Sequence, residues 1–235
     1  MRELRKRLVY YLVTFLCIGS VIGLWFEIWS ALGFLEIKGL ENFPKQKGKI
    51  YLASNHPYKG EHFILNGLFW LKQYIIRPKL GPWSIAAKEN YGDRWFTPFI
   101  EGRLILAERG GKDVESQRIA LSKLEAGGNL IGFPEGGRTP KGTGEMPTGD
   151  SEPKVEGKHF LTSKTGRKIR CLKNGAARYA TEVPGVVTVI VWFEYESFFK
   201  MKLVISEPRD FYGRNKKEVV EEMEQIFLET ADRVA

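Results

Sequence analysis

Cysteine is nearly absent, with Cys17 and Cys171 the only two in 235 residues. That excludes a disulfide framework, and the lack of any Cys-x-x-Cys pair removes the usual zinc and thiol-redox motifs. Histidine is scarce as well: His56, His62 and His159. No Gly-x-Ser-x-Gly occurs, so the strand–turn–helix elbow of a lipid-cleaving serine hydrolase is missing. No internal repeat is visible. Acidic residues are in deficit, 28 against 36 basic ones, which leaves a net charge of +8. Such an excess points to an anionic partner: nucleic acid, anionic lipid or a phosphorylated substrate. No groove-reading motif accompanies the charge, so a nucleic-acid partner is not expected. With 43% hydrophobic residues the chain has ample material for one sizeable core.

Charge is also missing locally. Residues 8–26 are 19 consecutive uncharged positions. As a helix rising about 1.5 Å per residue they would measure about 28 Å, close to the hydrocarbon thickness of a bilayer. Arg2, Arg5, Lys6 and Arg7 precede them, against Glu3 alone. A basic start followed by an apolar run is also the layout of a signal peptide. No small-x-small cleavage site stands out, however, and the run is long for one. Glu27 interrupts it, after which Ile28, Trp29, Ala31, Leu32, Phe34 and Leu35 resume an apolar pattern. Residues 1–36 therefore read as a membrane-associated motif, either an inserted hairpin or a helix followed by an interfacial second helix. Trp25 and Trp29 suit the headgroup level. A single crossing is the competing topology, and with the basic end inside it would place the remainder on the outer face.

Residues 37–235 read as one α/β domain. Strands are expected at 50–54, 83–87, 104–107, 129–133, 186–192 and 202–206, and helices at 63–76, 113–125, 174–181 and 218–234. Gly127-Gly128 supplies a helix stop. The alternation predicts a mixed, mostly parallel sheet flanked by helices. Residues 139–168, rich in Gly, Pro, Thr and Lys, read as an insertion loop or hairpin. The strongly apolar helix at 63–76 fits a buried core helix; part of it lining an acyl groove or touching lipid is the alternative.

Three segments carry the chemistry. His56 follows a buried strand in Ser54-Asn55-His56-Pro57-Tyr58-Lys59-Gly60-Glu61. In one helix, positions five apart diverge by about 140°, but across a strand–turn–helix corner they can converge. A carboxylate accepting from one imidazole nitrogen fixes the tautomer and leaves the other free to take a proton from an alcohol. An ordinary loop histidine beside a helix-start glutamate has the same local sequence. The second segment is Phe133-Pro134-Glu135-Gly136-Gly137-Arg138-Thr139, a turn after a strand. Its glycines allow close backbone approach, and its arginine offers a planar fork for phosphate. The third, residues 102–109, is a strand ending in Glu108-Arg109. Taken singly, each is also an ordinary turn or exposed ion pair.

Their order changes the reading. Asn-His-x4-Glu, a strand ending in arginine, Phe-Pro-Glu-Gly-x-Arg-Thr and Val183-Pro184-Gly185-Val186-Val187 succeed one another. Ala86-Ala87-Lys88-Glu89, Lys173-x-Gly175-Ala176-Ala177 and Ile205-Ser206-Glu207-Pro208 fit as well. Over about residues 49–208 the chain resembles the glycerolipid acyltransferase family, which includes the 1-acylglycerol-3-phosphate acyltransferases. The resemblance implies a membrane-bound enzyme moving a fatty acyl group from acyl-CoA or acyl-carrier protein to the hydroxyl of a lysophospholipid, foremost 1-acylglycerol-3-phosphate. It implies His56 as general base with Glu61 orienting it. Arg109 and Arg138, with Lys88, would take the acceptor phosphate, while Glu135, Gly136, Gly137 and Thr139 would shape that site. Neither metal nor cofactor is implied. Because both donors are cytosolic, a hairpin or half-inserted motif that keeps His56 on the cytoplasmic face is preferred to a single crossing.

The sequence departs from the family in places. Aspartate is usual where Glu61 stands; the late acyltransferases of lipid A share the same logic and can carry glutamate. Gly137 and Thr139 replace Thr and Ser of the usual Phe-Pro-Glu-Gly-Thr-Arg-Ser, and residues 102–109 are one longer than the usual spacing. Two readings from other classes stand beside the enzyme. A metal-dependent hydrolase built on His56, Glu61 and His62 lacks the i, i+3 or i+4 ligand spacing of a helical site. A non-catalytic lipid-binding relative would bind vesicles without turnover.

Overall fold

The computed structural model describes residues 20–57, 61–69, 80–88, 103–108, 113–136 and 160–234. In chain order they form α1 (Ser20–Ala31), β1 (Leu35–Lys38), β2 (Ile50–Ser54), α2 (Glu61–Phe69), β3 (Trp83–Ala87), β4 (Leu104–Ala107) and α3 (Val114–Glu125). There follow β5 (Leu130–Gly132), β6 (Phe160–Thr162), β7 (Lys168–Arg170), α4 (Asn174–Thr181), β8 (Val187–Ser197), β9 (Lys200–Ile205), β10 (Arg209–Asp210) and α5 (Lys216–Asp232).

Eight strands make one sheet in the order β1-β9-β8-β2-β5-β3-β4, with β10 added against β8. From β8 to β4 every neighbouring pair is parallel, while β9 and β10 run antiparallel to β8. The sheet is thus mixed and mostly parallel, as the alternation predicts. Strand residues alternate between its faces. Ile50 and Leu52, with Val189, Val191 and Phe193, meet α1 and α2 on one side. Tyr51 and Ala53, with Ile190 and Trp192, meet α3, α4 and α5 on the other. Helices on both faces explain why β2 is buried at all five positions.

The helix ends follow their sequence signals. Asp113 caps α3 by accepting from the Ser116 amide at 2.9 Å, which satisfies one of the free donors of the first turn. At the other end Gly127 adopts φ +83°. The Gly128 amide donates to Lys123 O at 2.8 Å, closing the helix in the usual glycine-dependent way.

One expectation at the N-terminal side is corrected. Glu27, which interrupts the uncharged run, lies within α1, and the helix continues through it to Ala31. Leu35, grouped in the sequence with the second apolar pattern, belongs instead to β1 and pairs with Met201. Phe26 anchors α1 by lying on Gly67 of α2, where a Cβ would collide with its ring. No helix among the described residues is long and apolar enough to cross a membrane. In α2, Ile64, Leu65, Leu68 and Phe69 are all buried, so this part of the apolar helix is core.

At the C-terminal flank of the 139–168 insertion, β6 and β7 form an antiparallel hairpin. It is tied to the core at two points. Asp232 of α5 accepts from the Thr165 amide at 2.8 Å, and Arg167 makes a two-pronged ion pair with Glu194 of β8.

Candidate active site

Parallel strands β2, β5, β3 and β4 all end on one edge of the sheet, the place where open α/β sheets bind ligands. His56 stands at the end of β2. Its corner is fixed from below by Asn55, a buried residue whose amide group makes two bonds to one backbone position. Asn55 Nδ2 donates to Phe193 O at 2.9 Å, and the Phe193 amide donates to Asn55 Oδ1 at 2.6 Å. The end of β2 is thereby locked to β8 just where the chain leaves the sheet.

Across the corner, Glu61 is the first residue of α2 and fully buried. His56 Nδ1 is paired with Glu61 Oε1. The second carboxylate oxygen is buried with no hydrogen-bond partner among the described residues. The carboxylate is therefore directed at the histidine. The His56 side chain keeps 21% of its surface exposed. The pair fixes the tautomer and leaves Nε2 as the proton-accepting nitrogen. The convergence drawn from the five-residue spacing is thus realised in space.

The Phe133-Pro134-Glu135-Gly136 turn leaves the end of β5, the strand beside β2. Phe133 stacks on the His56 ring at 4.6 Å and meets the His62 ring edge-on at 4.6 Å. Glu135 is buried, and both its oxygens are engaged by the backbone. The His56 amide donates to Oε1 at 2.8 Å, and the Arg170 amide donates to Oε2 at 3.1 Å. One carboxylate thus binds together the His56 corner, its own turn and β7. Gly136 adopts φ +64°, and a Cβ there would run into Cε and Nζ of Lys173. The Lys173 amide donates to Pro134 O at 3.0 Å, which seats the start of α4 on the same turn. The ammonium group of an exposed lysine therefore lies over the glycine turn, with no ion-pair partner among the described residues. The Lys173-x-Gly175 stretch is visible in the sequence, but the approach of Lys173 to Gly136 is a tertiary contact that no local signal announces.

His62 lies partly buried beside His56, with ring centroids 6.4 Å apart. Burial, and then the neighbouring His56, push its pKa down from 6.5 to about 3, so it stays neutral across the physiological range. Its protonation belongs to the unfolded chain. Above about pH 6.5 it is neutral in both states; below that, the unfolded chain takes up the proton and the folded one does not. Stability should fall by about 1 kcal/mol per pH unit from this group between about pH 6 and 4. Denaturant titrations at about pH 7.5 and 5 check this, and His62→Phe should remove the difference that His62 contributes.

Lys88 directly follows β3, two strands from β2 and about 10 Å across the sheet. Its Nζ is 3.4 Å from Glu108 Oε1, both side chains being exposed. Glu108 is held in turn by Asp113, which accepts from its amide at 2.8 Å. Backbone amides, first that of Ser116, hold the Asp113 carboxyl below its ordinary range. His56, Glu61, Glu135 and Gly136 are therefore brought together, while Lys88 stands at the same edge beside the Glu108 that precedes Arg109. Arg109, Gly137, Arg138 and Thr139 lie outside the described residues. No cluster of His, Cys, Asp or Glu suited to a metal occurs among the described residues.

The acyltransferase family model matches residues 34–193, which spans the sheet edge and both turns. The chain belongs to the acyltransferase family. Among solved structures, this acyltransferase is similar in fold to the 1-acyl-sn-glycerophosphate (LPA) acyltransferase PlsC from Thermotoga maritima. The TM-score is 0.61 at 18% identity, over 100% of this chain and 98% of that one. No curated protein sequence matches the chain. The acyltransferase is therefore an enzyme that transfers acyl groups, carried on an α/β fold shared with PlsC.

Proposed function

We propose that this acyltransferase acylates the free hydroxyl of a lysophospholipid at the membrane surface, with 1-acylglycerol-3-phosphate as acceptor and an acyl thioester of CoA or acyl-carrier protein as donor. The observation that carries the reading is the His56–Glu61 pair beside a glycine turn with a lysine ammonium over it. His56 Nε2 takes the acceptor's proton as its oxygen attacks the thioester carbonyl. A free alkoxide is far too basic to exist at neutral pH, so attack and proton removal coincide. Glu61 stabilises the imidazolium that forms. The tetrahedral intermediate collapses, the carbon–sulfur bond breaks, and the imidazolium returns the proton to the thiolate. Products are the diacyl lipid and the free thiol, with no acyl-enzyme. No metal or cofactor enters this scheme.

Lys173 extends the expected set for the acceptor phosphate, which comprised Arg109 and Arg138 with Lys88. A doubly charged phosphate leaving water needs such compensating donors. Glu135 shapes the site through the two amides it holds.

The test is acyl transfer in micelles with labelled acyl-CoA or acyl-carrier protein and a panel of lysolipids. Lysophosphatidate should be acylated in preference to monoacylglycerol, which lacks the phosphate. Lys173→Ala should raise KM for lysophosphatidate about tenfold, the low end for one charge-assisted hydrogen bond, and leave KM for monoacylglycerol unchanged. Equal use of both acceptors by the wild type would refute the phosphate part of the reading.

A further inference from the structure

Six of the eight exposed large apolar side chains among the described residues lie in two places. Val21, Leu24, Ile28 and Leu32 are on or just after α1, and Phe198 and Phe199 form the turn between β8 and β9. Phe198 is 48% and Phe199 59% exposed, a costly arrangement for adjacent aromatic rings in water.

The two places form one surface. Trp29 Nε1 donates to Phe198 O at 2.9 Å, so the turn is fastened to the helix by an indole. The Trp29 ring meets Phe198 edge-on at 4.9 Å, and Phe34 meets Phe199 at 5.1 Å. Behind the two phenylalanines, Glu196 and Lys200 pair with each other at 2.5 Å. The tip is therefore apolar beyond a charged collar. Its one or two residues of projection, about 3.3 Å each, suit the shallow headgroup–acyl boundary.

A bilayer is favoured over a second copy of the chain by what leads into α1. Ser20 to Phe26 are the last seven residues of the uncharged run 8–26, itself preceded by Arg2, Arg5, Lys6 and Arg7. The exposed apolar side of α1 thus continues a membrane-length segment. Placement agrees with this. Ser54 pairs with Val191 in parallel register. Phe198 lies seven residues further along, about 23 Å past the end of β2 on the side where His56 stands. On the same face of the sheet α1 lies against α2, the helix that begins with Glu61.

We propose that the β8–β9 turn is a second bilayer-contacting element, with Phe198 and Phe199 inserted beside α1 so that two-point seating turns the His56 edge of the sheet towards the membrane. The purpose of that seating rests on the lysolipid reading; the contact itself is measured without any substrate.

The test uses the full chain with Cys17→Ser and Cys171→Ser. A single cysteine is introduced by Phe199→Cys or, as control, by Arg209→Cys, and carries an environment-sensitive fluorophore. Arg209 pairs with Thr188, at the far end of β8 from Phe198. Ten residues of extended strand separate those two ends, about 33 Å. Both labelled positions are exposed, so the labels do not disturb the core. Vesicles of phosphatidylcholine and phosphatidylglycerol carry a nitroxide on the shallow part of the acyl chain. On vesicle-bound protein the label at 199 should shift to the blue and lose intensity to the nitroxide, while the label at 209 stays water-like and unquenched. A water-like, unquenched label at 199 on protein that floats with the vesicles overturns the proposal, as does failure to float. A blue shift without vesicles that grows with protein concentration also overturns it and assigns the surface to a second copy. Loss of acyl transfer with the quenching pattern intact would count against the lysolipid reading alone.

Discussion

His56→Ala is expected to reduce acyl transfer by roughly 10²–10⁴-fold while the protein still folds and binds vesicles. The magnitude follows from the geometry. Nδ1 is committed to the buried Glu61, so Nε2 is the imidazole nitrogen left to take the acceptor's proton. Alanine removes that acceptor and leaves the donor and phosphate contacts in place, so kcat should carry the loss and KM should move little. The His56 side chain is partly exposed, and its loss opens no deep cavity. The check is kcat and KM for lysophosphatidate beside a thermal unfolding curve. Retention of more than about a tenth of wild-type kcat would remove His56 from the role of general base.

Glu135→Gln is expected to lower kcat by about 10²-fold although this side chain touches neither the proton nor the carbonyl in the proposed scheme. Its two oxygens accept from the amides of His56 and Arg170. Glutamine replaces one acceptor by an NH2 group that faces an N–H, leaving a buried donor unsatisfied at a cost of about 1–3 kcal/mol. The His56 corner then loosens by a fraction of an ångström, enough to misalign proton transfer. A residue acting only on the acceptor phosphate would raise KM for lysophosphatidate and spare monoacylglycerol. Glu135→Gln should instead lower kcat for both, with a matching loss of stability in denaturant titration. A change confined to KM for the phosphorylated acceptor would place Glu135 in contact with the phosphate.

Much of the fold was legible because its signals are local. β2, β3 and β4 coincide with short apolar runs bounded by turn residues. α3 sits between a capping Asp113 and the Gly127-Gly128 stop. α5 follows from its apolar stripe and is capped by Asn215, which accepts from the Lys217 amide. β1 was not legible. Its four residues, Leu-Glu-Ile-Lys, are stable as a strand only because β9 offers an edge to pair with. The unbroken passage of α1 through Glu27 was hidden for a related reason: an exposed carboxylate on one side of a helix does not stop it when the other side is seated by Phe26 on Gly67.

That a histidine follows a buried strand, that a carboxylate opens the next helix and that a Phe-Pro-Glu-Gly turn succeeds a later strand can be read from the residues alone. Those are properties of short segments, set by turn chemistry and apolar patterning. Packing set how these groups lie against one another. It directed Glu135 to the His56 amide, laid Lys173 over Gly136, stacked Phe133 on His56, and kept His62 neutral by burial. It also brought Phe198 and Phe199 to Trp29. The Glu135–His56 and Phe133–His56 contacts exist because parallel strands β2 and β5 lie side by side, and the Phe198–Trp29 contact because β8 runs on past the end of β2. Such contacts depend on strand order and register, which no local pattern of residues encodes.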